Sequence, residues 1–126
     1  MSDPTKTNDL KKLIQTKLKT IATNVYYEIA DENAMYPHVV YSFRTINLGD
    51  ISRQDYILDV DVWDKERSTT AVDELCDKIE SLLHTENLPQ TRILPTFYLI
   101  DRKSLLDEDK QIKHRLIRFQ IQNYVR

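Results

Sequence analysis

The sequence predicts an α+β fold, a two-layer sandwich in which two helices cover one face of a mostly antiparallel four-stranded sheet. Apolar residues alternate along several stretches and recur at helical spacing along two others. These are the periods of strands and of amphipathic helices. The order is helix, two strands, helix, two strands, and short connections favour antiparallel hairpins within each pair. Two helices with one apolar face each can cover only one side of the sheet, which makes two layers. The length of 126 residues predicts a single domain over residues 1–126.

The stretch from Gln54 to Asp64 is the predicted central strand. Its alternate residues Tyr56, Leu58, Val60 and Val62 are apolar and line one face. The opposite face reads Ile57, Asp59, Asp61 and Trp63. This second face resembles neither a core nor an ordinary wet surface, so it is the best clue to function.

The helices follow from apolar spacing and capping residues. Residues 1–7 are polar and predict a loose start. A helix is expected over Asp9–Ala22 with Asn8 as its N-cap. A second helix is expected over Thr69–His84, where Thr69 or Thr70 can cap it and Asp73 lies in its first turn. Cys76 falls inside the apolar arc of that helix, which predicts a buried structural thiol.

The remaining strands are predicted from β-branched and aromatic content. They are expected over His38–Ile46, Ile93–Asp101 and His114–Val125, and Val25–Ala30 is either a short strand or an extended connector. The expected connections are a loop over Asn47–Arg53, a linker over Thr85–Arg92 and a charged turn over Lys103–Lys110. The first of these is either a plain surface loop or a contact loop, because extra hairpin length often serves contacts. The candidate contact residues are Leu48, Asp50 and Arg53 there, and Leu105, Asp107 and Glu108 in and beside the charged turn.

Charge and composition exclude several classes of protein. The net charge is −2, with +3 over residues 1–24, −10 over 25–109 and +5 over 110–126. A nucleic-acid interface needs a concentrated basic face, which this division does not predict. One cysteine excludes an intramolecular disulfide framework, and no apolar run approaches the roughly 20 residues of a membrane span. We expect a protein of a reducing cytoplasm without a signal peptide.

The sequence offers little catalytic chemistry. Asp59 and Asp61 share a strand face and could hold a hard cation such as Mg²⁺. The alternative is a polar sheet face on which Arg44 and Arg118 balance these carboxylates across strands. The three histidines lack metal-ligand spacing and are expected at the surface or at strand ends. One glycine cannot build a phosphate-cradling loop, so we expect no enzyme, cofactor or metal.

The second sheet face predicts an interface instead. Its candidate residues are Arg44, Ile46, Ile57, Asp59, Asp61, Trp63, Arg118 and Tyr124, joined by Val40, Tyr98, Ile100 and Leu116. A monomer rarely exposes so many apolar and aromatic groups in one patch, and aromatic residues with arginine are typical of protein interfaces. The alternative is that Val25–Ala30 and the N-terminal segment fold over this face.

The run from Tyr36 to Leu83 resembles the tail terminator, or tail completion, proteins of long-tailed bacteriophages and prophages. The residues that carry the resemblance are YPHVVYSF at Tyr36–Phe43, LDVDVWDK at Leu58–Lys65 and AVDELCDKIESLL at Ala71–Leu83. The first helix, LKKLIQTKLKTI, and the closing strand, HRLIRFQIQNYVR, fit the family layout in order and length.

The resemblance implies a structural protein of the virion tail or neck, assembled in the host cytoplasm. Such proteins form rings, usually hexameric, that cap a completed tail tube, stop its polymerisation and offer a docking surface to the head connector. The implied partners are further copies of the chain, the tail tube protein and the connector, with no membrane. DNA would traverse the ring without specific binding, because an acidic lining repels it.

Two other functions stay open at this point. Another neck component, such as a head-closure or minor capsid protein, would share this size and composition. A small metal-dependent nuclease using Asp59 and Asp61 is the second alternative.

Overall fold

A computed structural model describes residues 6–50, 53–84 and 93–125 of the chain. These residues form helices α1 (Lys6–Lys19) and α2 (Thr70–Leu83). They also form strands β1 (Val25–Tyr27), β2 (His38–Asp50), β3 (Arg53–Lys65), β4 (Ile93–Leu105) and β5 (Ile112–Val125). The strands make one sheet in the order β1-β2-β3-β5-β4.

The strand β3 lies in the middle of the sheet, as its alternating pattern predicts. It pairs antiparallel with β2 on one side and with β5 on the other. The strand β4 pairs antiparallel with β5 and forms an outer edge. Both predicted antiparallel hairpins are therefore confirmed, and β3 presents its two faces to opposite sides of the molecule.

The predicted four-stranded sheet has a fifth strand. Residues Val25–Tyr27 form β1, which runs parallel to β2 and pairs with Val39–Tyr41. The sheet is therefore mixed, with one short parallel edge. Three residues are too few for a periodic pattern, which is why the sequence leaves this segment open between strand and connector.

The hairpin strands are longer than predicted, and the proposed loop over Asn47–Arg53 is wrong for most of its length. Residues 47–50 continue β2, and Arg53 begins β3; residues 51–52 lie outside the described part. The pairing register shifts between Thr45 and Asn47 and again before Asp50. Such bulges interrupt the alternation that identifies a strand in a sequence.

The strand β4 also runs past its predicted end at Asp101 and continues to Leu105. A register shift lies between Leu99 and Asp101, so the alternation again fails at the predicted boundary. The charged turn predicted over Lys103–Lys110 therefore starts at residue 106. The predicted linker Thr85–Arg92 lies outside the described residues.

Both predicted helices are present with shifted ends. The helix α1 begins at Lys6, so Asn8 lies inside it and is not the N-cap, and residues 6 and 7 are helical rather than loose. In α2, Thr69 occupies the N-cap position without a side-chain capping bond. The Ser68 hydroxyl accepts the Thr70 N–H at 3.1 Å instead. A neighbouring hydroxyl therefore caps α2.

One apolar core lies between the helices and the sheet. Its buried residues come from both helices and from all five strands, and include Leu10, Ile14, Leu18, Val25, Tyr41, Leu58, Val60, Val72, Ile79, Phe97, Ile117 and Phe119. The Tyr41 hydroxyl donates to the Lys11 carbonyl at 3.3 Å and ties α1 to β2. The predicted packing of both helices on one sheet face is confirmed. Neither helix of the described part combines the length and apolar character needed to cross a bilayer.

Candidate functional site

The open face is the side of the sheet turned away from α1 and α2. It comprises His38, Val40, Ser42, Arg44, Arg53, Asp55, Ile57, Asp59, Asp61, Trp63, Leu94, Thr96, Tyr98, Asp101, Lys103, Leu105, His114, Leu116, Arg118, Gln120, Gln122 and Tyr124. These positions share a side because neighbouring strands pair them in rows while successive residues alternate between faces. The strand β3 contributes an acid at every open-face position from Asp55 to Asp61, except at Ile57.

Each of these three acids has a bonding partner on the open face. The Arg118 guanidinium donates to Asp59 through Nε at 2.7 Å and through Nη2 at 3.2 Å. This contact is the first cause of the raised pKa of Arg118. The pairing of Asp59 with Arg118 predicted from the sequence is therefore found. Such a bidentate contact fixes both side chains in one geometry.

The second acid, Asp61, bonds a histidine rather than an arginine. The distance between His114 Nε2 and Asp61 Oδ1 is 2.7 Å. A carboxylate only accepts hydrogen bonds, so Nε2 carries the proton in this contact. Arg44 lies opposite Ile57, and no described carboxylate lies within ion-pairing distance of it. The predicted role of Arg44 as a partner of these acids is wrong.

The third acid, Asp55, is nearly buried at 6% exposure. Arg53 donates to both of its oxygens at 2.9 Å, and Gln120 donates to Oδ2 at 3.3 Å. Arg53 was expected to be a loop residue that contacts partners. Its side chain instead satisfies Asp55 and lies over the Tyr124 ring, 5.8 Å from the centroid.

A stack of flat rings crosses the open face at its other end. Trp63 packs on His114 with centroids 3.6 Å apart and planes 14° apart. On the opposite side, His38 lies 6.2 Å from Trp63 at 17°. Tyr26 meets His38 edge-on with centroids 6.3 Å apart, and Tyr36 lies tilted against it at 5.1 Å. Rings from β1, β2, β3 and β5 thus form one rigid platform.

His38 has an unusual environment for a histidine at the start of a strand. It is 8% exposed, and its Nδ1 makes no hydrogen bond with the described residues. Burial lowers the pKa of His38, and the charge of a protonated His114 lowers it further, while the Met35 carbonyl opposes both. His38 was expected at the surface or at a strand end; it begins β2, and its side chain is buried. Packing between Tyr36 and Trp63 excludes water from it.

A shallow groove of about 490 Å³ borders the ring platform. One wall is the connection after β1, with Glu28, Ile29 and Tyr36, and the other wall is formed by Val40 and Asp61. The side chain of Ile29 is 79% exposed. The connection after β1 therefore lies along one border of the open face and forms the outer wall of the groove. The predicted alternative, in which the N-terminal segment folds over the face, is wrong for α1, which packs in the core on the other side.

The remaining predicted contact residues fall at the margins of the sheet. Ile46 and Tyr124 are 47% and 46% exposed. Asp107 and Glu108 are exposed between β4 and β5, and Leu105 ends β4. Leu48 and Asp50 belong to β2 and not to a loop. The structure therefore places most of the candidate residues from the strands on one face. It does not bring the two predicted contact loops, Asn47–Arg53 and Lys103–Lys110, together into one site.

Sequence reasoning missed the two histidines of the ring platform. His38, Trp63 and His114 form one row across β2, β3 and β5. The sequence did contain an indication of this row, because each histidine begins a predicted strand and Trp63 lies near the end of the predicted central strand. Reading it requires the register of both hairpins, and the bulged loop lengths conceal that register.

The helix-covered side carries a separate cluster of charges, which holds α2 to the sheet. Arg102 donates to Asp77 at 2.7 Å and also contacts Glu80, while Arg115 donates to Asp73 at 3.0 Å. The bond to Asp77 is the first cause of the raised pKa of Arg102. Burial is the largest single influence on Asp73 and raises the pKa of its carboxyl, but the bond and charge of Arg115, joined by Thr69 and Arg102, together lower that pKa.

The predicted buried thiol is confirmed. Cys76 is 0% exposed, and burial raises the pKa of its thiol to about 11. Groups of three or more His, Cys, Asp or Glu side chains placed to hold a metal ion are absent from the described residues. Asp59 and Asp61, the pair considered for Mg²⁺, are engaged by Arg118 and His114.

The fold and the open face together define a small two-layer α+β domain with a structured, polar and aromatic sheet side. The chain belongs to the tail completion protein gp17 family, which matches residues 11–122. It is therefore a structural protein of the bacteriophage tail, and family membership indicates a non-enzymatic role. The resemblance noted in the sequence is confirmed.

A solved structure has the same fold. It is a chain of the virion of a native gene transfer agent particle, with a TM-score of 0.68. The match covers 85% of this chain and 84% of that one at 10% sequence identity. At this identity the match shows the fold alone. No curated protein sequence matches the chain.

Proposed function

We propose that the protein forms a ring, most simply a hexamer, that caps the completed tail tube. The ring stops polymerisation of the tube protein and presents a docking surface to the head connector. Its partners are further copies of this chain, the tail tube protein and the connector. Family membership and the gene transfer agent match support a role in tail or neck assembly. The ring and its capping action are the proposal.

The observation that carries this proposal is the open face. Apolar and aromatic side chains remain exposed around it, with Ile46 at 47%, Tyr98 at 40%, Ile100 at 48% and Tyr124 at 46%. Soluble monomers rarely keep such a set on one side of a sheet unless it binds something. Aromatic residues and arginine beside satisfied charges are typical of interface cores and their rims.

The polar groups of the open face are also arranged for contact. Asp55, Asp59 and Asp61 are each held by a neighbouring side chain within the chain itself. Their orientation is therefore fixed before any partner arrives, which reduces the entropy lost on association. A closed ring needs heterologous contacts between two different patches of each subunit. The open face and its margins supply candidate patches.

Passage of DNA through the ring without specific binding fits the charges of this face. Arg53 and Arg118, two of its arginines, are bound by Asp55 and Asp59. Phosphate contacts need cations that are free to replace condensed counterions. Binding measurements at 50 mM and 200 mM salt should show weak affinity for double-stranded DNA with little salt dependence.

Removing the protein from phage assembly tests the proposed function. Electron microscopy of particles assembled without it should show tails of irregular and excessive length, because tube growth lacks its stop. Restoring the chain should return tails to a uniform length. Tails of normal length that fail to attach to heads would contradict capping and would indicate a neck component acting after tail completion.

A further inference from the structure

The two margins of the sheet differ in how their backbone groups are satisfied. On the β2 side, the Val39 N–H donates to Asn24 and the Tyr41 carbonyl accepts the Glu28 N–H at 2.9 Å. The pairing with β1 ends at Tyr41. Because backbone groups of a strand alternate in direction, those of Phe43 and Thr45 point the same way as those of Tyr41. None of the described residues bonds them on that side, so β2 is an open edge from Phe43 onward.

The β4 margin, as far as the described residues show, leaves outward backbone groups unpaired for only a short stretch. The Leu99 N–H points outward and donates to His84 Nδ1 at 3.0 Å. Pro95 has no N–H to offer, which limits pairing toward the start of the strand. By alternation, Phe97 presents an outward N–H and carbonyl, and Leu99 presents an outward carbonyl. This margin can therefore pair with a short strand in one narrow register.

The two edge strands are aligned in register and run in opposite directions. Arg44 lies opposite Ile57, Ile57 opposite Gln120, and Gln120 opposite Tyr98, so Arg44 and Tyr98 occupy one row of the sheet. The successive antiparallel pairings make β2 and β4 run in opposite directions. Copies rotated about an axis along the strands would therefore meet with β2 antiparallel to β4 without tilting.

The side chains at the two margins are complementary. Arg44 is exposed and has no described carboxylate within ion-pairing distance, whereas Asp101 is an exposed residue of β4 that lies opposite Arg118. The Tyr98 ring, 40% exposed, can lie against the Arg44 guanidinium in a cation–π contact. Ile46 and Ile100 are exposed by 47% and 48% at the two margins. One margin thus offers a cation that no described carboxylate pairs, and the other offers an aromatic ring and an acid, each beside an exposed isoleucine.

We propose that β2 of one copy pairs edge to edge with β4 of the next copy, with Arg44 opposite Tyr98. In this register Thr45 and Phe97 exchange two backbone hydrogen bonds, and the Phe43 N–H donates to the Leu99 carbonyl. The contact is head-to-tail, so its repetition joins the sheets of neighbouring subunits into a ring. This inference rests on the proposed ring and names the surfaces that close it.

Cysteine cross-linking tests the register directly. Directly opposite residues of antiparallel strands have Cβ atoms about 4.5–5.5 Å apart, close enough for a disulfide after small adjustments. The double variant Arg44→Cys/Tyr98→Cys should give a series of covalent dimers, trimers and larger species up to the ring size after mild oxidation. Each single variant should stay monomeric on a denaturing gel. Buried Cys76 is common to all variants.

A matched control replaces Tyr98 by a position on the helix side. Lys78 is exposed on α2, so Arg44→Cys/Lys78→Cys should give no covalent series. Thr45→Pro is a second test, because it removes an N–H that no described residue uses. Circular dichroism and thermal unfolding of Thr45→Pro should match the parent protein, while ring formation should be lost.

Electron microscopy of the unoxidised protein, alone and on tail ends, separates this inference from the proposed function. Rings without a covalent series from Arg44→Cys/Tyr98→Cys would overturn the edge contact and leave the ring in place. A covalent dimer from Arg44→Cys alone would also overturn it, by showing a two-fold contact between β2 strands. The absence of both rings and cross-links would overturn both proposals.

Discussion

The two faces of β3 carry similar numbers of side chains but have different roles. Leu58 and Val60 point toward the helices and are fully buried. Ile57 and Asp59, their immediate neighbours, point to the open face and stay partly exposed. The buried side supplies the hydrophobic stabilisation of the fold. The open side is ordered by hydrogen bonds and ring stacking but contributes less burial, which leaves it available for partners.

The arginines of the two sides show the same division. Arg102 contacts three acids of α2, and these contacts hold a helix to the sheet. Arg118 contacts Asp59 within the sheet itself, where the β3–β5 ladder already fixes both strands. A charge pair that joins two elements should matter more for folding than one placed on a surface that is already ordered.

The largest expected difference separates Leu58 from Ile57. Leu58→Ala should lower the free energy of unfolding by about 3 kcal/mol, because it leaves a cavity in a close-packed core. Ile57→Ala should cost about 1 kcal/mol or less, because its side chain is partly solvated. Urea denaturation followed by circular dichroism measures both values. Equal losses would show that the open face is part of the stabilising core.

A smaller difference is expected between Arg102 and Arg118. Arg102→Ala should lower the free energy of unfolding by about 1.5 kcal/mol, because it leaves carboxylates of α2 without their partner. Arg118→Ala should cost less than about 1 kcal/mol, since it breaks a partly exposed pair. Thermal unfolding at pH 7 compares them. A larger loss for Arg118 would contradict the division between the two faces.

The pH dependence of stability should report on His38. Burial makes its folded-state pKa lower than the ordinary value of 6.5, so the unfolded chain binds a proton more readily. The stability that the neutral His38 ring contributes to the folded state is therefore fully present above pH 6.5. It is lost as the pH falls through the lowered pKa of His38. His38→Phe keeps a flat ring in the stack and should reduce the loss of melting temperature between pH 7 and pH 5. An unchanged loss would assign it to groups other than His38.

The smallest change is expected at Cys76. A thiol with a pKa of about 11 is almost entirely protonated at pH 8, and a protonated thiol is a poor nucleophile. A thiol-specific reagent should therefore react slowly with the native protein and completely after denaturation. Fast native labelling would show that α2 separates readily from the sheet.

The periodic parts of the fold could be predicted from the sequence. Four alternate apolar residues of β3 and the wide apolar arc of α2 indicated the central strand and its covering helix. The pairing of Asp59 with Arg118 could be anticipated because both fall on the same predicted face. These features depend on local periodicity, which survives in a single sequence.

Other features depend on register and were not predictable. The three residues of β1 are strand because β2 offers them a parallel edge. The bulges after Thr45 and Leu99 hide the true strand ends. His38 and His114 meet Trp63 only once both hairpins are aligned. Each case turns on long-range pairing rather than on local pattern.

Capping of tail tubes in solution tests the central claim most directly. Purified tail tube protein is allowed to polymerise with the wild-type chain or with Ile57→Lys, which places a charge in the middle of the open face and spares the core. Electron microscopy then measures tube lengths. The wild-type chain should hold tubes short, and folded Ile57→Lys should let them grow as though no cap were present. Equal capping by the two proteins would contradict the assignment of the open face as the assembly surface.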